Sequence, residues 1–179
     1  MKTLIVVDMQ NDFIDGALGT PEARAIVPNV KKKIEEYKQR MGDEIIFTRD
    51  THYNNYMETL EGKNLPVKHC IRDTYGWQIH DEVKPRHNPN LCFDREIVVD
   101  KVAFGKFDLP GYVRGFTDSI ELVGLCTDIC VISNAMILKA YFPEIPIIVD
   151  TSCCAGVTPE SHKNALEAMK MCQIEIRGE

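Results

Sequence analysis

The chain has 179 residues, 44% of them hydrophobic and 27% charged, with a net charge of −6 at pH 7. That length fits one domain, residues 1–179, able to bury its own core, and the acidic balance argues against nucleic acid or an anionic membrane and for a small molecule as partner. No apolar run approaches the roughly 20 residues of a membrane span, and MKTLIVVDMQ turns polar too early for a signal peptide, so the cytoplasm is the expected location. The seven cysteines, an odd number without paired zinc-type spacing, read as free thiols in a reducing compartment, most of them packing residues.

Residues 3–8, TLIVVD, form a continuous apolar run that predicts a strand buried on both faces. Asp8 stands at its carboxyl end, where parallel sheets place their sites; a turn former or helix cap is an equal reading for an aspartate there. The polar, glycine-containing stretch that follows reads as a loop in which Phe13 either tucks into the core or flanks a ligand. Ile26, Val30, Ile34, Tyr37 and Met41 recur at helical spacing and predict an amphipathic helix over residues 28–40, with Pro28 in its first turn. A second buried strand, EIIFTRD at residues 44–50, also ends in a carboxylate, Asp50.

Residues 51–89 then form a long loop holding His52, His69, His80 and His87, and long loops in compact domains tend to be functional. Asp50 and His52, two apart, project to one side of an extended backbone, and His69 returns after a stretch containing Glu61. Carboxylate and imidazole together suit Zn²⁺, Mn²⁺ or Fe²⁺, although by spacing alone a satisfied surface histidine is the commoner outcome. Trp77, Ile79 and Val83 predict a short helix against the sheet. A third strand, EIVVDK, ends at Lys101, a position where lysine is usually solvated, and an aromatic-rich loop and short helix follow through Phe104, Phe107, Leu109 and Tyr112.

The stretch SIELVGLCTDICVIS, residues 119–133, runs a strand straight into a helix. Gly124 permits a tight backbone approach there, and Thr127 or Asp128 can cap the helix. Cys130 then falls in the helix's first turn, where unpaired N–H groups and the dipole are expected to lower its pKa and to face a nascent oxyanion. An isolated cysteine in such a turn is more often a packing residue. The helix over residues 128–141 is apolar around most of its circumference, which predicts a homo-oligomer covering it. A strand at 145–150, a helix opened by Pro159 and a short strand at 173–176 complete an alternating pattern. It predicts a six-stranded, mostly parallel, doubly wound α/β sheet. Neither G-x-G-x-x-G nor G-x-x-x-x-G-K-[ST] occurs, which disfavours nucleotide binding.

Three motifs in this order on successive strand ends, LIVVDMQNDF, VDKVAFGKFDL and GLCTDICV, closely resemble the isochorismatase-like cysteine hydrolases, and more narrowly the nicotinamidases. The resemblance implies the α/β fold above and a catalytic triad of Asp8, Lys101 and Cys130. It also implies a cis peptide at Leu125–Cys126 and oxyanion donors from the Cys126 and Cys130 amides. It further implies one divalent metal, zinc by preference and manganese or iron otherwise, that grips the ring nitrogen of an amide substrate. Asp50, His52 and His69 fill three ligand places, and where relatives carry a second histidine this chain offers Glu58 or Glu61, of which alignment of FTRDTH with LPVKHC selects Glu61. Phe13 and Trp77 are the implied walls for the ring; the stretch after His69 departs from the family's G-T-x-G-A pattern. The implied activity is hydrolysis of nicotinamide through a Cys130 thioester. The alternative is a metal-free relative acting on another small substrate, such as a vinyl ether hydrolase or a different amidase.

Overall fold

The computed structural model describes residues 1–85 and 96–178; His87 and Cys92 lie outside the described residues. Six strands form one sheet: β1 (Lys2–Val7), β2 (Glu44–Asp50), β3 (Glu96–Lys101), β4 (Ser119–Leu125), β5 (Ile147–Ala155) and β6 (Glu175–Arg177). The helices are α1 (Asn11–Ile14), α2 (Pro21–Lys38), α3 (Leu60–Asn64), α4 (Ile132–Tyr141) and α5 (Pro159–Met171). Every strand pair is parallel, in the order β3-β2-β1-β4-β5-β6. The chain therefore builds outwards from β1 in one direction and from β4 in the other. The gap between the carboxyl ends of β1 and β4 is the topological switch point, where open α/β sheets hold their ligands.

The continuous apolar runs follow from burial on both faces. Leu4 and Val6 of β1 pack with Phe47, Val123 and the inner face of α2, while Ile5 and Val7 pack with Ile120, Leu122, Leu138 and Met169 under α4 and α5. Each fully buried aliphatic side chain contributes about 1.5–3 kcal/mol, so the two layers fix strand register firmly. At Gly124 the backbone has φ +116, and an added Cβ would lie 2.1 Å from the Val7 carbonyl oxygen. Only glycine lets β4 approach the end of β1 this closely, as its place in the sequence predicts.

Several boundaries differ from the sequence reading. Helix α2 begins at Pro21, not Pro28: the Thr20 hydroxyl accepts from the Ala23 N–H at 3.0 Å, and Pro21 sits where a missing N–H costs nothing. Pro28 is interior, tolerated because Ile26, Val27 and Val30 around it are buried. Met41, assigned to that helix's inner face, lies beyond its end and is exposed. Residues 77–83 form turns and an isolated bridge from Ile79 to Gln10 rather than a helix. Strand β5 runs five residues past its expected end at Asp150, to Ala155, because beyond a register shift Cys154 and Ala155 still pair with Gly124 and Leu125 at the end of β4. None of the described helices is long and apolar enough to cross a membrane.

Candidate active site

The three strand ends singled out from sequence converge. Lys101, at the end of β3, is buried, and its Nζ lies 2.7 Å from Asp8 Oδ2, 3.0 Å from Asp50 Oδ1 and 3.5 Å from Cys130 Sγ. It is not the solvated strand terminus that its sequence position ordinarily implies. Asp8 has a left-handed backbone (φ 47), and its Oδ1 accepts from the Thr48 hydroxyl at 2.7 Å. A cis peptide joins Leu125 to Cys126.

The turn carrying Cys130 departs from the expected capped α-helix. Residues Thr127–Val131 form a π turn that leads into α4, and neither Thr127 nor Asp128 caps it. The Thr127 hydroxyl pairs with His162, and the Asp128 carboxylate accepts from the Val157 N–H. The expected lowering of the Cys130 pKa is also corrected. Burial pushes the thiol well above its ordinary value, the Asp8 carboxylate adds to this, and Lys101 offsets only part of it. A desolvated thiolate beside a carboxylate is too costly for the helix end to rescue, so the resting group is the thiol. Burial likewise raises Asp8 against the pull of Lys101, which makes it a stronger proton acceptor than a surface aspartate. Burial alone would lower Lys101, but Asp8, Cys130 and Asp50 hold it well above its usual value, so it stays an ammonium.

A second constellation faces the first. His52 Nε2 stands 2.9 Å from Asp50 Oδ2 and 3.4 Å from Glu61 Oε1, while His69 Nε2 stands 3.7 and 3.8 Å from the same two oxygens. Although close, the buried His52 Nε2 makes no well-directed hydrogen bond. His69 Nδ1 is 2.8 Å from the Val67 carbonyl, which fixes the tautomer and leaves the Nε2 lone pair turned towards the cluster. Asp50, His52 and His69 present ligand atoms within 4.8 Å of one another, a donor set that suits a divalent metal, and Glu61 Oε1 approaches both imidazoles as a candidate fourth ligand. Burial would lower His52, yet its contacts with Asp50 and Glu61 raise it to about 9, the mark of an imidazole held against carboxylates. Glu61 reaches the cluster from α3, whose Thr59 cap accepts from the Gly62 N–H at 3.0 Å. Glu58 lies in the preceding 3-10 turn, and it is Glu61 whose carboxylate lies 3.4 and 3.8 Å from the two imidazoles.

Between the constellations lies a pocket of about 310 Å³. Asp50, Glu61 and His69 line one part, Cys126 and Cys130 another, and Phe13, Leu18, Leu65, Phe104 and Val157 supply apolar walls. Asp8 and Lys101 are buried and do not line the pocket, although Lys101 Nζ touches the Cys130 thiol. Phe13 is thus a wall, its ring 5.6 Å from that of His69. Trp77 is not: its ring stacks under Arg49 at 3.5 Å and its Nε1–H donates to Thr51, so it braces the loop from outside.

Sequence reasoning missed four supporting residues. Gln10 donates to the Asp50 and Trp77 carbonyls and accepts from the Asp50 N–H, tying the ends of β1 and β2 together. Thr48 orients Asp8, and a hydroxyl in the otherwise apolar run of β2 was the available signal. Tyr56, fully buried, packs its ring 4.7 and 5.1 Å from His52 and His69. Asn134 donates to the Cys130 carbonyl at 2.8 Å and accepts from the Lys106 N–H. Tyr56 and Asn134 carry no local signature, because both roles depend on residues distant in the chain.

The isochorismatase domain family matches residues 2–177. The nicotinamidase of Saccharomyces cerevisiae is 28% identical, with 98% of this chain and 99% of that protein aligned. Among solved structures, the pyrazinamidase/nicotinamidase of Streptococcus mutans is 29% identical, with a TM-score of 0.84 over 98% of this chain and 99% of its own. The pyrazinamidase of Pyrococcus horikoshii in complex with zinc is also 29% identical, with a TM-score of 0.81 over 98% and 97% of the two chains.

Proposed function

This chain belongs to the isochorismatase family, and from that premise we propose that it is a nicotinamidase that uses a Cys130 thioester and a divalent metal. It is an amide-hydrolysing enzyme. The finer reading rests on one observation: Cys130, which lies beside Lys101, and Asp50, Glu61 and His69 of the second cluster line a single apolar pocket sized for a small ring amide.

Asp8, its basicity raised by burial, takes the Cys130 proton as Sγ attacks the carboxamide carbon. Lys101 keeps negative charge tolerable on both neighbours during the transfer. The amide N–H groups of Cys126 and Cys130 receive the oxyanion. When the intermediate collapses, the C–N bond breaks and Asp8 returns its proton to departing ammonia. A water deprotonated by Asp8 then attacks the thioester, releasing nicotinate and restoring the thiol. Asp50, His52, Glu61 and His69 would hold the metal, which when bound supplies a Lewis acid for the ring nitrogen and so positions the substrate. Zinc suits this donor set and is the ion in the Pyrococcus horikoshii structure.

Ammonia release from nicotinamide and from benzamide, compared at equal concentration, tests the assignment. Benzamide keeps the carboxamide and lacks the ring nitrogen, so it should be the far poorer substrate. Equal rates, or turnover of an aliphatic amide in place of nicotinamide, would move the chain to the metal-free alternative.

A further inference from the structure

Two contacts on the far side of the nucleophile turn take no part in the steps above. Thr127, fully buried, follows Cys126 directly, and its Oγ1 lies 2.8 Å from His162 Nδ1 near the start of α5. One residue later the Asp128 carboxylate accepts from the Val157 N–H at 3.1 and 3.2 Å. The turn that carries both oxyanion donors is therefore fastened to the segment joining β5 to α5.

His162 is itself well seated for this contact. A Cβ placed on Gly156 would lie 2.9 Å from the His162 Cβ, so the backbone of the loop presses on the base of the imidazole. Burial holds the His162 pKa below its ordinary value against the pull of Asp128, so the ring is neutral at neutral pH and shares one hydrogen bond with the hydroxyl. Threonine is stiff about χ1, so holding its hydroxyl holds its backbone. Cys126 has ψ 144, and that torsion, with the placement of Thr127, sets the angle between the Cys126 N–H and the turn carrying Cys130.

We propose that His162 is a positioning residue, whose hydrogen bond to Thr127 keeps the Cys126 and Cys130 amide donors aligned on one oxyanion. The role rests on the oxyanion-hole reading above. It does not depend on the substrate being nicotinamide, since any acyl group attacked by Cys130 develops the same charge.

The test compares two reactions of the same thiol. With 4-nitrophenyl acetate, Cys130 Sγ forms a bond to the carbonyl carbon and 4-nitrophenolate leaves, so an oxyanion develops. With 2-iodoethanol, Sγ displaces iodide from carbon, and no oxyanion forms. Rates of modification at Cys130 are read by peptide mass mapping on the full chain. In His162→Ala and Thr127→Val, acylation should fall about tenfold to a hundredfold while alkylation stays within about twofold, somewhat less than the ~10²–10³ lost when an oxyanion donor is deleted outright. His162→Asn and Thr127→Ser, which keep a hydrogen-bonding partner, should recover most of the loss. Parallel loss of both reactions would mean that the latch only supports the fold, and unchanged acylation would mean that it aligns nothing; either result overturns the proposal, as does a wild-type Cys130 that alkylates but does not acylate. Nicotinamide turnover by the wild type is scored separately, so failure of the substrate assignment and failure of the latch are told apart.

Discussion

Lys101→Met keeps most of the length of the side chain and deletes the ammonium that faces both Asp8 and Asp50. Lys101 lies 2.7 Å from one carboxylate and 3.0 Å from the other, and all three groups are buried. A charge pair near 4 Å at an effective dielectric of 20 is worth about 4 kcal/mol, and breaking a buried pair typically costs about 3–5 kcal/mol. The expected loss at pH 7 is therefore about 4 kcal/mol, or a fall in Tm of about 10 °C for a chain of this size. The pH dependence carries the sign. Burial already raises Asp8, and Lys101 is the largest influence opposing it, so in the variant the Asp8 pKa rises further. A carboxyl raised above its unfolded value of about 3.9 binds more protons when folded; its penalty is absent below about pH 4 and grows as pH climbs towards the folded pKa, by about 1.4 kcal/mol per unit. Urea unfolding from pH 4.5 to 8 should show wild type and variant converging at the acid end and separating above it. Ammonia release should fall by about 10³ or more, because a further rise in the Asp8 pKa leaves less of the base and, in the proposed mechanism, the triad acts as a unit. A variant as stable as wild type at pH 7, with the same pH slope, would refute the claim that this ammonium compensates two buried carboxylates.

Cys130→Ala should abolish turnover with an unfolding transition close to wild type, whereas Cys126→Ala, which removes a thiol that burial and Asp128 push up to about 12, should be far milder; turnover surviving in the first would exclude a thioester. Glu61→Ala should weaken zinc binding in equilibrium dialysis by about tenfold or more and narrow the nicotinamide to benzamide ratio, and unaltered zinc affinity would remove Glu61 from the ligand set. On α4, Tyr141 is exposed while Ile132, Met136 and Ile137 are only half-buried, so sedimentation should give a species larger than the 20.4 kDa monomer. A folded monomer at micromolar concentration would contradict that expectation.

Strand periodicity and strand ends were readable without coordinates. Runs such as TLIVVD and EIIFTRD can be stable only between two layers, and a polar residue closing such a run lies at the strand's carboxyl end, so local pattern put Asp8, Asp50 and Lys101 at strand ends but not the burial of Lys101. The Asp-x-His pair likewise required no more than the alternation of an extended backbone. What the pattern misjudged depended on energies summed over distant groups. The Cys130 pKa followed a helix end in the sequence, but burial and Asp8, 122 positions away in the chain, decide it in the fold. Trp77 resembled a ring wall until Arg49 and Arg72 claimed its face. Thr127 and Asp128 read as caps because capping is the strongest local use of those side chains, yet His162 and the Val157 N–H, brought in by β5 and α5, hold them instead. Local sequence determines which residues reach the switch point; which partner each meets there is decided only when six strands are in register, because each contact joins segments that are far apart along the chain.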